Sequence, residues 1–336
     1  MLWGIDLGGT KIEGVVLDPD RPTEPVFRNR VATEAEQGYE HVVAQISRLV
    51  DWMERETGLS RPDKIGFGTP GAFDAPTGGM RNCNSVVLNG RDLPGDLERA
   101  LGCGVVLQND ANCFALAEAA MGAAVGRPTV FGIIMGTGVG GGLVVDGRAL
   151  PGLQGIAGEW GHNVLDPTGP PCYCGRRGCV ETFLSGPATE RYYESLTGTR
   201  RRLGEIAGRH RSGSDPAATE TIERLCELFG RAVAVVLNIF DPHAVVIGGG
   251  VGNVDDLYTR GVAEAARHVF NPRLETPFLR PRLGDSAGVF GAAFLTSKTG
   301  RVTAAGPAPS APVAVRVPRA RPDPRPSSRS EERRAP

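Results

Sequence analysis

The chain has 336 residues, 40% of them hydrophobic, and sets 37 Lys and Arg against 38 Asp and Glu for a formal net charge of -1. That length exceeds one average core and fits two domains with a cleft between them, while the near-neutral balance leaves no electrostatic footprint for nucleic acid. Met1 runs directly into Leu2-Trp3-Gly4-Ile5 without the parts of a signal peptide, and no stretch approaches the roughly 20 apolar residues of a membrane span. The expectation is a cytoplasmic protein with no membrane or nucleic-acid partner.

Residues 1–115 read as strand, turn, strand and then a helix that carries Val42, Val43, Ile46, Leu49, Val50 and Met53 at helical spacing. Buried strands are predicted at 64–68 and 105–108, followed by a helix over 111–121 rich in Ala, Leu and Glu. In the second half a strand at 129–135 enters a Gly-rich turn and a strand at 143–145. Residues 150–180, rich in Gly, Pro and Cys, are too irregular for regular elements and too long for an idle loop, which marks them as functional. A helix over 221–240 ends at Asp241-Pro242, a buried strand at 244–247 runs into Gly248-Gly249-Gly250, and a last helix covers 289–298. The alternation is α/β, divided into an N-terminal domain at 1–120 and a C-terminal domain at 121–298 whose last helix packs back on the first. From 299 to 336 the composition shifts to Pro, Ala, Arg and Ser without periodicity, and disorder is expected. With eight arginines against three acidic residues, this tail reads as a solvated appendage or a weak contact for an anionic partner. The Arg-rich stretch at 200–211 matches no motif, and no internal repeat is evident.

Asp6-Leu7-Gly8-Gly9-Thr10-Lys11 sits at the turn between the first two predicted strands. Adjacent glycines let backbone amides approach an anion and the Asp can hold a hydrated magnesium ion, although a Gly-Gly pair also makes a plain hairpin turn. A second run, Gly136-Thr137-Gly138-Val139-Gly140-Gly141-Gly142, contains G-x-G-x-x-G at Gly136, Gly138 and Gly141. The dinucleotide fingerprint requires a helix next, whereas a strand is predicted, and no Walker loop exists elsewhere. Two strand-turn-strand glycine loops, one per half, with a third cluster at Gly248, Gly249 and Gly250, suggest one nucleotide held between domains. This is the arrangement of the two-domain actin/hexokinase-like ATPase (ribonuclease H-like) fold, with an interdomain active-site cleft.

Gln108-Asn109-Asp110-Ala111-Asn112 stands at a strand-to-helix junction. A carboxylate there can take a proton from a substrate hydroxyl while the neighbouring amide holds adjacent hydroxyls; an Asp at such a place is also an ordinary helix N-cap. Further on, His162 precedes Cys172, Cys174 and Cys179, which together supply four soft ligands for a closed tetrahedral zinc site. C-x-C is tighter than the usual C-x-x-C, so spacing alone leaves unliganded thiols as the other reading. Cys83, Cys103, Cys113 and Cys226 read as small apolar fillers.

In this order, the DLGGTK loop, the Asn109-Asp110-Ala111-Asn112 box, the GTGVGGG loop, the element Glu159-Trp160-Gly161-His162 and the run CYCGRRGCVETFLSG closely resemble the repressor/ORF/kinase (ROK) family of sugar kinases over residues 1–298. The stretches 84–90, 171–186, 238–242 and 284–288 look most like bacterial fructokinases with manno(fructo)kinase activity, and are similar to those of N-acetylglucosamine kinases and glucokinases. The resemblance implies a homodimer that transfers phosphate from ATP to the 6-hydroxyl of a hexose, fructose foremost and mannose beside it, with glucose or N-acetylglucosamine as alternatives. By the same resemblance Asp110 is the general base, and Asn84, Asn109, Asp110, Glu159, His162 and Glu181 bind the sugar. His162, Cys172, Cys174 and Cys179 bind structural Zn2+. Asp6, Gly8, Gly9, Thr10 and Lys11, with Gly136, Thr137, Gly138, Gly140 and Gly141, grip the phosphates of ATP and its Mg2+, and Gly248, Gly249 and Gly250 flank the adenosine. Two other readings fit less well. A sugar-responsive repressor of the same family needs a helix-turn-helix ahead of the first loop, which here begins at Gly4, and a zinc hydrolase needs an open coordination position.

Overall fold

The computed structural model describes residues 1–83, 85–284 and 287–297, together with the backbone of 315 and 316. Strands β1 (Leu2–Leu7) and β2 (Lys11–Leu17) form a hairpin closed by the amide of Gly8 donating to the carbonyl of Lys11 at 2.9 Å. β3 (Phe27–Ala32) adds an antiparallel edge. In α1 (Tyr39–Thr57) the stripe Val42, Ile46, Leu49, Val50 and Met53 is buried, and Gly58 closes the helix at φ 65°, a left-handed value glycine takes without strain. The chain returns through β4 (Lys64–Thr69), the small hairpin β5 (Ala72–Asp74) and β6 (Gly79–Arg81), α2 (Leu93–Leu101) and β7 (Gly104–Asn109). The first sheet has the order β3-β2-β1-β4-β7, with β1, β4 and β7 parallel. Helix α3 (Asp110–Ala120) starts where β7 ends.

The second half repeats the plan. β8 (Thr129–Met135), β9 (Val139–Val145) and β10 (Arg148–Ala149) are antiparallel neighbours. After α4 (Glu181–Leu184), α5 (Gly186–Thr197), α6 (Leu203–Arg211) and α7 (Pro216–Phe240), strand β11 (Ala244–Gly248) joins β8 in parallel. α8 (Arg260–His268), β12 (Arg273–Leu274) and β13 (Phe278–Leu279) follow, and β13 extends the sheet to the order β10-β9-β8-β11-β13. Each main sheet therefore reads third, second, first, fourth, fifth in the chain order of its own strands. The β1–β2 and β8–β9 turns consequently occupy equivalent places in the two halves.

Helix α9 (Ala287–Phe294) joins the halves. It approaches the first sheet so closely that a Cβ on Gly4 or Gly66 would overlap the backbone of Ala293 or Ala292. With α3 it encloses a core drawn from both sheets, including Val15, Leu17, Phe114, Val130, Val246 and Phe290. Helix α7 begins earlier than its apolar period because Asp215 accepts from the amide of Ala218 at 3.2 Å and Pro216 fits the first turn. The strand expected at 143–145 starts at Val139, inside the glycine loop. β3, α2, α5, α6 and α8 add to the elements foreseen from the sequence. The expected disorder of 299–336 lies outside the described residues except at 315 and 316, where β14 (Val315–Arg316) pairs with β12 instead. Among the described residues no helix is long and apolar enough to cross a membrane.

Candidate active site

A cleft of about 1160 Å³ opens beside the junction of β7 and α3. Asn109 caps α3, its side-chain oxygen accepting from the amide of Ala111 at 2.9 Å. Asp110 touches the same amide at 2.8 Å but faces the cleft, crowded by protein below and open above. Burial raises the Asp110 carboxyl above its ordinary range, restrained by the hydrogen bonds from Ala111 and Asn109. The surrounding amides hold this junction in place. Gln108 accepts from the side chain of Asn112 at 3.2 Å, Asn112 accepts from the amide of Leu143 at 3.2 Å, and Asn109 donates to the carbonyl of Gly71 at 3.4 Å. Asp6, on β1, is pushed up to about 7 by burial, then by the charges of Asp110 and Glu13, with Lys11 opposing. Two carboxylates that resist joint ionisation make a place where a divalent cation would relieve the repulsion.

The two glycine turns differ in detail. In the first, the hydroxyl of Thr33 donates to the carbonyl of Gly8 at 2.7 Å, Gly9 and Thr10 complete the turn, and Lys11 reaches back to the buried Glu13 at 3.4 Å. In the second, Gly136, Thr137, Gly138 and Gly140 line the cleft. Glu181, at the start of α4, accepts from the amide of Val139 at 2.9 Å, and a Cβ on Gly138 would stand 2.6 Å from that carboxylate oxygen. Gly141 is placed otherwise than the glycine pattern implies: it is buried, and a Cβ there would come within 2.7 Å of the Trp160 ring, so it serves close packing and does not reach the cleft. The third cluster abuts the end of β8. Gly249 has φ 80° and a Cβ on it would overlap the carbonyl of Met135, Gly248 packs on Phe114, and Gly250 has open space around it.

Across the cleft, Glu159 precedes a short 3-10 helix, Trp160–His162. Burial raises the Glu159 carboxyl, the His162 ring opposes, and Asp110 and Glu181 add to the rise, so the three carboxylates share one field. The ligand atoms of His162, Cys172, Cys174 and Cys179 all lie within 4.8 Å of one another. The Cys174 and Cys179 sulfurs are 3.6 Å apart, and the Cys172 sulfur is 3.5 Å from Nδ1 of His162. A tetrahedron of Zn–S bonds of about 2.3 Å has edges of about 3.8 Å, so the donor set and its spacing fit zinc.

Asn84 lies outside the described residues. Tyr173, Arg176, Asn82 and Gly71 also line the cleft and were not singled out from the sequence. Tyr173 and Arg176 fall inside the cysteine run, but nothing in residue type distinguishes them there; Asn82, at φ 57°, betrays itself only in the backbone. In the Arg-rich stretch, Arg201 and Arg209 pair with Glu205, and Arg202 with Glu190, so these charges belong to local ion pairs.

Comparison with known proteins agrees along nearly the whole body. The model of the ROK family matches residues 2–299. The chain is 36% identical over 308 residues to the N-acetyl-D-glucosamine kinase of Aliivibrio fischeri, covering 89% of this chain and 100% of the relative. It is 37% identical over 309 residues to the enzyme of that name from Pectobacterium atrosepticum, covering 88% and 98%. Among solved structures, a ROK hexokinase from Thermus thermophilus superposes with a TM-score of 0.78 at 37% identity, covering 88% of this chain and 97% of that one. A ROK family glucokinase from Streptomyces griseus, solved with glucose and AMPPNP, gives 0.70 at 29% identity, covering 88% and 98%. The fold is thus the actin/hexokinase-like ATPase fold anticipated from the paired glycine turns. On the family match and on relatives aligned over their full length, this chain belongs to the ROK family.

Proposed function

We propose that this chain is an ATP-dependent sugar kinase that phosphorylates the 6-hydroxyl of N-acetyl-D-glucosamine, with Asp110 as general base. The observation that carries the reading is the position of Asp110. It faces the cleft from the β7–α3 junction, in the field of Asp6 at the first glycine turn and of Glu159 across the cleft, while the second glycine turn lines the same cavity. Fructose is the sugar the sequence boxes resemble most, but the names of relatives aligned over their full length support the alternative, N-acetyl-D-glucosamine.

The residues divide the work between positioning and proton transfer. Asn109, Glu159 and Glu181 hold ring hydroxyls by hydrogen bonds and fix the line of attack, and Asp110 receives the hydroxyl proton as phosphoryl transfer proceeds. The raised carboxyl of Asp110 would make it a better proton acceptor than an ordinary aspartate. Thr137 and Gly138 line the cleft and would present backbone amides to phosphate oxygens, Lys11 would leave Glu13 for the same purpose, and Asp6 would hold hydrated magnesium. His162, Cys172, Cys174 and Cys179 would hold zinc. Bound there, zinc would supply structural rigidity to the segment carrying Glu159 and Glu181.

The test is ADP release with MgATP and each of N-acetylglucosamine, glucose, mannose and fructose, with the phosphorylated position read by NMR. Formation of a 6-phosphate is expected. No ADP release with any of the four would overturn the kinase reading.

A further inference from the structure

We infer that Tyr173 is a sugar-facing residue whose phenol, oriented by His162, donates a hydrogen bond to a hydroxyl of the acceptor and so helps select it. This deepens the kinase reading and rests on it.

A tight turn presents the side chain. The amide of Gly175 donates to the carbonyl of Cys172 at 3.0 Å, Gly175 adopts φ 88°, and the amide of Cys172 donates to the carbonyl of Arg176 at 2.8 Å. The turn that brings Cys172 and Cys174 together thereby fixes the residue between them. Its ring stands edge-on to the imidazole of His162, with centroids 5.1 Å apart at 88°. The phenol oxygen lies 2.9 Å from Nε2 of His162, while Nδ1 faces the Cys172 sulfur at 3.5 Å. Both imidazole nitrogens are therefore engaged.

With Nδ1 as the metal ligand, the ring would carry its one hydrogen on Nε2. Nε2–H then donates to the phenol oxygen, and the phenol's own hydrogen is left to point elsewhere. Tyr173 is 76% exposed on the cleft wall, close enough to Glu159 and Glu181 for their charges to act on it. Glu159, Glu181 and the phenol line the same cleft, so an acceptor hydroxyl bound there can meet the phenol, and Nε2 of His162, a residue the family resemblance assigns to sugar, faces Tyr173.

The experiment is Tyr173→Phe in the full chain, with sugar affinity measured by calorimetry beside steady-state kinetics and metal content. Loss of one hydrogen bond should raise the sugar KM and Kd about tenfold, with the ATP KM, kcat and metal per chain unchanged. Repeating both enzymes with deoxy analogues of the best acceptor locates the contact: one analogue should bind wild type and variant equally. Unchanged or tighter sugar binding would mean that the phenol merely covers His162 until sugar displaces it, and an increase equal for every analogue would likewise contradict a direct contact. If the wild type releases no ADP with any hexose, it is the kinase reading that fails.

Discussion

Asp110 opens α3 without being its cap, because Asn109 takes that role. The carboxylate is thus held by the helix start and still available to a hydroxyl. Asp110→Asn keeps the shape and the hydrogen bond to Ala111 but cannot take a proton, so kcat should fall about 100-fold or more while the sugar Kd stays within a few fold. Retention of a tenth of wild-type kcat would assign the proton to another group. As a general base Asp110 would work only as the carboxylate, and burial raises its pKa, so the acid limb of the wild-type pH–rate profile should lie above the ordinary aspartate value of about 3.9. Under the proposed function, Gly138 would couple the two substrates in a different way. A Cβ there would press, at 2.6 Å, on the Glu181 oxygen that accepts from Val139. Gly138→Ala should therefore raise the KM of both ATP and sugar, and an effect confined to one substrate would show that the two sites are independent. At this scale the sequence points to a residue where chemistry demands a residue type, as at Asp110, which faces the cleft, or at the cysteines, which the fold brings together with His162. It was silent on Tyr173, because any residue can fill C-x-C, and ambiguous on Gly141, because a glycine that meets a ligand and one that packs under Trp160 look alike in a run.

Elements were readable in proportion to their burial pattern. Helices α1 and α7 carry long apolar stripes and were foreseen, whereas β3 alternates at an exposed edge and α6 and α8 are short and heavily charged, so tertiary packing decides them. The segment from Gly158 to Glu181 is the opposite case: it has little regular structure, yet its place is fixed by Gly158 against Gly141, by the cysteine turn and by Glu181 against Val139. Its four soft ligands sit between the two carboxylates they would position. Cys174→Ser, or chelation, should raise the sugar Kd steeply and lower the melting temperature, with a smaller loss of affinity for an ATP analogue. Elemental analysis should find one zinc per chain, and a fully active preparation with far less would leave these thiols as ordinary cysteines.

The duplicated sheet order is the feature of the whole molecule least visible in the sequence. Strand order is a matter of backbone pairing, which many side-chain patterns satisfy, so two halves without evident repeat share one topology. That duplication places the β1–β2 and β8–β9 turns at equivalent positions, and α3 with α9 locks the halves together through a common core. Under the proposed function, selectivity among hexoses would belong to the same scale, since Glu159, Glu181 and Tyr173 come from one half and Asn109 and Asp110 from the other. The most direct test is kcat/KM for N-acetylglucosamine, glucose, mannose and fructose with one preparation and saturating MgATP. N-acetylglucosamine should exceed fructose by about tenfold or more, as expected when buried polar groups of a site lose their partners on the wrong sugar. A preference for fructose would contradict the assigned acceptor, and the absence of turnover with all four would contradict the kinase itself.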